Sequence, residues 1–171
     1  MCIRDSPGTP ITDMRVKSLM VPPGLPDWLT RHRLMAAGDV TLHGRAWSGA
    51  GRAIRQVEVA VQELPGARLD SAAAATNPDN ADYPVDTAGN SSQAELEWHS
   101  AEVRGGDNEF AWSSWNFQWQ AQPGHYRLRC RATDEDGNVQ PVHTRWDHSG
   151  FGNNVAQTVD VWVERELPAT A

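Results

Sequence analysis

Tyr126 to Ala132 reads YRLRCRA, and residues 134–138, just beyond it, read DEDGN. Tyr126, Leu128, Cys130 and Ala132 alternate with Arg127, Arg129 and Arg131. A period of two places the first set on a core face and the arginines on the opposite face of a half-buried strand. Asp136-Gly137 is a favoured hairpin centre, and Pro123-Gly124 marks the strand's start. The same alternation recurs on either side. Gln56 to Gln62 reads QVEVAVQ, with Val57, Val59 and Val61 on one face and Glu58 and Ala60 on the other. Val159 to Val163 reads VDVWV, with its three valines on one face and Trp162 pointing away from them. Val40 to Trp47 and Val16 to Val21 read as further strands, set off by Ser48-Gly49-Ala50-Gly51 and Pro22-Pro23-Gly24. No segment outside the loops carries a 3.6-residue apolar stripe. Short strands with turns about every 8–12 residues predict a β-sandwich or barrel.

At 171 residues the chain suits one domain with tails. Fifteen Lys and Arg against 22 Asp and Glu give a formal net charge of −7, and Lys17 is the sole lysine. An acidic chain without a basic block is a poor non-specific binder of nucleic acid. No apolar run approaches the ~20 residues of a membrane-spanning helix. Residues 1–10, MCIRDSPGTP, lack the charged and apolar regions of a signal peptide and read as a disordered or artefactual tail, an arbitrary start on something longer. The domain is placed at 11–163, with a long surface insertion over 63–93 rich in Ala, Asn, Asp and Ser. Strand pattern resumes at Leu96 to Val103, and residues 164–171 read as a tail. Cys2 and Cys130 are not expected to pair, since Cys2 falls in the tail.

Tryptophan stands out, with eight against two Tyr and three Phe. Residues 110–119 read FAWSSWNFQW, where Phe110 and Trp112 share one parity and Trp115, Phe117 and Trp119 the other. Within one strand this requires a bulge, or cover on both faces. The first alternative makes a core strand; the second makes one face a partner surface, and Trp162 favours it. Cys130, His143, Asp147 and His148 do not form the paired spacings of a zinc site, so the histidines are read as loop residues. Asp134, Glu135 and Asp136 read as solvated turn charge, and the outward arginines as a solvated edge with an anion or acidic partner as the alternative. Asn90-Ser91-Ser92 matches a glycosylation sequon of the kind that occurs by chance. No hydrolase elbow, zinc-protease motif or phosphate loop is present, so the sequence points to no catalytic residue, cofactor ligand or metal ligand in this chain.

Seven pieces in order resemble the C-terminal dimerisation domain of molybdenum-cofactor oxidoreductases of the sulfite oxidase type. Arg15 to Met20 with Pro22 is similar to its opening strand. Gly44-Arg45-Ala46-Trp47-Ser48-Gly49 resembles its G-x-A-W-S-G motif, followed by Val57-Glu58-Val59. Trp98 with Ala101, and Ala111-Trp112 with Trp115, match its W-x-x-A element and aromatic strand. Arg131 to Asp134, then Gly137 to Gln140 and Pro141, resemble its R-A-x-D…G-x-x-Q-P hairpin. Trp146, Gly150 and Asn153-Asn154 match its closing motif. The resemblance implies an all-β, immunoglobulin-like (E-set type) sandwich that pairs subunits into a homodimer. It implies a parent enzyme that oxidises sulfite or a related substrate, with molybdenum-molybdopterin and its cysteine ligand held by a preceding catalytic domain that is absent here. It implies a periplasmic or secreted setting in bacteria, with the cytoplasm as the alternative. Animal sulfite oxidases place an Arg of this domain in the anion pocket; the corresponding residue here is Ser149, so that role is not carried over. The other reading is an independent immunoglobulin-like module that binds a protein or glycan without catalysis.

Overall fold

The computed structural model describes residues 12–29, 31–64, 96–106, 108, 110–143 and 152–166. Every element among them is a strand: β1 (Lys17–Met20), β2 (Leu25–Pro26), β3 (Arg33–Ala36), β4 (Gly38–Trp47), β5 (Ile54–Glu63), β6 (Trp98–Ser100), β7 (Glu102–Arg104), β8 (Ser113–Ala121), β9 (Gly124–Asp134) and β10 (Gln157–Glu164). They form two sheets, one ordered β1-β4-β8-β7 and the other β2-β3-β10-β9-β5-β6. All pairings are antiparallel except β10 with β3. The two inner faces meet in a core to which the small sheet sends Leu42, Ala46 and Trp115 and the large sheet Val57, Val59, Leu128, Cys130 and Val161. Each such valine or leucine contributes about 1.5–3 kcal/mol by leaving water.

The alternation of YRLRCRA sets β9 in place. Tyr126, Leu128, Cys130 and Ala132 are buried, and the arginines between them face outward. β9 is an interior strand, however, between β10 and β5. Its arginines therefore lie on a sheet face with neighbours on both sides, not on a solvated edge.

The aromatic run resolves without a bulge. β8 pairs with β4 in unbroken register from Ala46↔Ser113 to Gly38↔Ala121. Trp115, Phe117 and Trp119 share the core-facing parity, and Trp115 is 2% exposed. Phe110 and Trp112 precede the strand, so the two parities belong to two different pieces of chain. Gly44 makes room for Trp115: a Cβ there would stand 2.0 Å from the Leu19 carbonyl oxygen and 2.5 Å from the Trp115 ring.

The strand read at residues 96–103 is split. Its first half, β6, pairs with β5 in the large sheet, and its second, β7, pairs with β8 in the small one. The chain changes sheet at Ala101, whose N–H donates to the Val57 carbonyl at 2.9 Å. β2 and β3 are too short to show a period in the sequence. They extend the large sheet through the parallel β3–β10 contact.

One side of the sandwich is closed by side chains. β1 pairs with β4 along one edge only. On its other edge the Ser18 N–H donates to Gln140 Oε1 at 2.7 Å and the Met20 N–H to Gln157 Oε1 at 2.8 Å. Gln140 Nε2 donates to the carbonyls of Ser18 (3.4 Å) and Val155 (3.3 Å), and Gln140 Oε1 also accepts the Ala132 N–H at 3.2 Å. Asn154 Nδ2 donates to the Val16 carbonyl at 2.9 Å. Three carboxamides thus stand where a partner strand would otherwise pair. Buried backbone groups require such partners.

Candidate functional site

Most of the motif residues gather at one end of the sandwich, where β4 and β9 finish and β1, β5 and β8 begin. Trp47 ends β4 and Trp112 leads into β8, one step beyond the Ala46↔Ser113 pair. Their rings stack at 4.8 Å with 19° between planes, and Trp112 stays 57% exposed. Trp47 walls two clefts. One, of about 200 Å³, also touches Arg52, Gly106, Asn108 and Ala111. The other, of about 320 Å³, touches Met14, Arg15, Lys17 and Asn153.

The turns around these rings are held by a buried carboxylate. Asp134 is fully buried rather than solvated. Its oxygens accept the Ser48 hydroxyl (2.9 Å), the Asn138 backbone N–H (2.9 Å) and the Asn138 amide (3.1 and 3.0 Å). Burial pushes its pKa upward, but the Asn138 and Ser48 hydrogen bonds and the Arg52 charge prevail and hold it below the usual carboxylate range. Gly137 takes φ +81°, which a glycine adopts without strain, and its N–H closes the turn onto the Asp134 carbonyl at 3.0 Å. Asp136, in the same turn, is exposed and pairs with Arg52 at 2.7 Å. Gly49 lets the loop after β4 lie against Met14, where a Cβ would be 2.5 Å from the carbonyl oxygen.

The remaining described motif residues brace the domain, and one of them, Asn154, also lines the second cleft beside Trp47. Gln140 and Asn154 form the clamp on β1, and the Pro141 carbonyl accepts the Ala156 N–H at 2.8 Å. Trp98 starts β6 on the outer face of the large sheet, with the Arg131 guanidinium 4.1 Å above its ring. Trp146, Ser149 and Gly150 lie outside the described residues, as do Asp147, His148, the sequon and most of the 63–93 insertion.

The outer face of the large sheet is where sequence reasoning missed most. Arg127 forms a two-pronged pair with Asp160 at 2.8 and 3.0 Å, and Arg131 pairs with Glu58 at 2.7 Å. Trp162, read as a partner-facing ring, is 5% exposed and covered from within its own chain. It stacks on His125 at 4.0 Å and donates its indole N–H to His32 Nδ1 at 2.7 Å. Burial, with His32 and Arg127, lowers the His125 pKa against the opposing pull of Asp160. The signal that could have found this cluster is the parity of His125 and Trp162, which are register partners on adjacent strands.

Cys130 does not suit a molybdenum centre. It is buried in the core and unpaired, and burial raises its thiol pKa to about 11 despite hydrogen bonds involving Ser18 and Met20. A metal ligand must be a thiolate with an open approach. Among the described residues no three His, Cys, Asp or Glu side chains stand close enough to share a metal.

Two facing sheets, a short parallel contact and side-chain closure at one margin define an immunoglobulin-like β-sandwich. The chain belongs to the Mo-co oxidoreductase dimerisation domain family, whose model matches residues 8–164. It is 28% identical over 138 residues to mitochondrial sulfite oxidase of Mus musculus, covering 76% of this chain and 20% of that protein. It is likewise 28% identical over 135 residues to the Homo sapiens enzyme, covering 74% of this chain and 19% of that one. The chain therefore spans about a fifth of these relatives. Among solved structures, the sulfane dehydrogenase SoxCD from Paracoccus pantotrophus shares the fold, with a TM-score of 0.54 and 22% identity over 88% of this chain and 33% of that one.

Proposed function

We propose that this domain pairs two copies of a molybdenum-cofactor oxidoreductase that oxidises sulfite or a related sulfur compound, with catalysis lying in a preceding domain of the same protein. The observation that carries this reading is the family match over residues 8–164, together with an alignment that covers about one fifth of the curated relatives. The motif residues Trp47, Gly49, Trp98, Trp112, Trp115, Asp134, Gly137, Gln140, Pro141 and Asn154 then serve by shaping and bracing the domain. The Ser149 position, an arginine in animal sulfite oxidases by the resemblance, favours a substrate other than sulfite itself. A bacterial, periplasmic setting is part of the same proposal.

The gene around this chain tests it directly. A continuous reading frame encoding a molybdopterin-binding domain with a cysteine ligand is expected upstream of residue 10. The full-length product should bind molybdenum and oxidise a sulfur substrate, whereas this domain alone should do neither. An intact frame beginning at residue 1, with no such domain before it, would sink the reading.

A further inference from the structure

Resting on the reading that this domain pairs with itself, we infer that the second copy sits on the outer face of the six-stranded sheet, anchored at its margin by the turn carrying Trp28 and Leu29. Both side chains are 89% exposed, and Leu25 beside them is also exposed. The turn is fixed. The Leu29 N–H donates to the Asp27 carboxylate at 3.0 Å, the Arg31 N–H to the Asp27 carbonyl at 2.9 Å and the Asp27 N–H to the His32 carbonyl at 2.9 Å. The Arg33 guanidinium braces its approach by donating to the carbonyls of Pro22, Pro23 and Gly24. An indole presented on an ordered turn loses little freedom on association, and tryptophan is the commonest anchor of such contacts.

The turn runs directly into the sheet face. His32, at its end, accepts the Trp162 N–H, and Trp162 stacks on His125. Beyond this ledge lie two ion pairs, Arg127 with Asp160 and Arg131 with Glu58. A surface with its charges neutralised in place loses less on being taken out of water than one of free ions. The single lysine lies on the other sheet, in line with the scarcity of lysine in interface cores. Arg129, between the two pairs, reaches only neutral acceptors, Thr158 and Gln62 at 3.5 Å each. No carboxylate stands within ion-pair reach of it among the described residues. Its spare donors suit a polar acceptor on a facing copy.

The area is of the right size. Four strands spaced about 4.8 Å apart and about eight residues long make a plane of roughly 500 Å². Side-chain relief and Trp28, which alone offers on the order of 200 Å², bring this near the ~800 Å² per partner of a standard interface. The opposite face, formed by the small sheet, presents the polar side chains Thr41, His43, Arg45, Gln118 and Gln120 to solvent.

Sedimentation velocity of the whole chain over a range of concentrations tests this, with urea midpoints to verify folding. Trp28→Ser combined with Leu29→Ser should weaken the dimer at least about thirty-fold without moving the urea midpoint, and Arg129→Glu should weaken it separately. Thr41→Glu, on the opposite sheet, should leave it intact. A dimer indifferent to the first two changes but dissociated by Thr41→Glu would overturn the inference while leaving self-pairing in place. A wild-type chain that stays monomeric would instead remove the reading beneath it.

Discussion

The Gln140 carboxamide, one residue before Pro141, engages both of its polar atoms inside the protein and reaches three separate segments. Removing it leaves at least two buried backbone N–H groups without acceptors, each costing about 1–3 kcal/mol. Gln140→Ala should therefore lower unfolding stability by about 2 kcal/mol or more, read from the urea midpoint; an unchanged midpoint would show that water replaces the amide freely. Asp134 makes a prediction about pH. Its folded-state pKa lies below the unfolded value, so it stabilises the fold above ordinary carboxylate pKa values and loses that contribution as pH falls through the folded pKa. Asp134→Asn should flatten the acid limb of the stability–pH curve, because the substituted residue no longer titrates. The sequence showed Asp134 as part of a turn but not its burial. One of its partners is Ser48, 86 positions away in the chain, and no local pattern reports a contact at that range.

At the level of elements, β4, β5, β8, β9 and β10 were legible because each runs long enough, at 8–11 residues, to display a period of two. β2 and β3 were not, being two and four residues long and set by pairing with a strand more than 120 residues further on. The closure of β1 by amides was equally hidden, since Gln140 and Gln157 look in sequence like ordinary polar residues. It has a measurable consequence. The Ser18 and Met20 amide protons face away from β4 yet should exchange slowly with deuterium, and Gln140→Ala should release Ser18 while Gln157→Ala releases Met20. Fast exchange at both positions in the unaltered protein would contradict the clamp. Gly44→Ala tests the seat of Trp115: a methyl group pressed onto the Leu19 carbonyl and the indole ring should cost about 1–3 kcal/mol, measured by thermal or urea unfolding.

At the scale of the molecule, the described tryptophans divide by role more finely than composition implied. Trp115 fills the core, Trp162 is covered by two histidines, and Trp98 lies under an arginine. Trp47 and Trp112 stack at one end, and Trp28 stands almost bare on an ordered turn. The family was readable in the sequence because its motifs are the very turns and clamps that close this sandwich: a glycine under Trp115, a carboxylate under two turns, an amide in place of a strand. The surface proposed to meet a second copy was not readable, since exposure depends on how the described strands assemble. The claim at this scale is self-association. Sedimentation equilibrium of the isolated chain over about three decades of concentration tests it most directly. A monomer–dimer equilibrium with a single association constant across the series is expected, and a mass fixed at that of one chain at every concentration would rule out self-pairing.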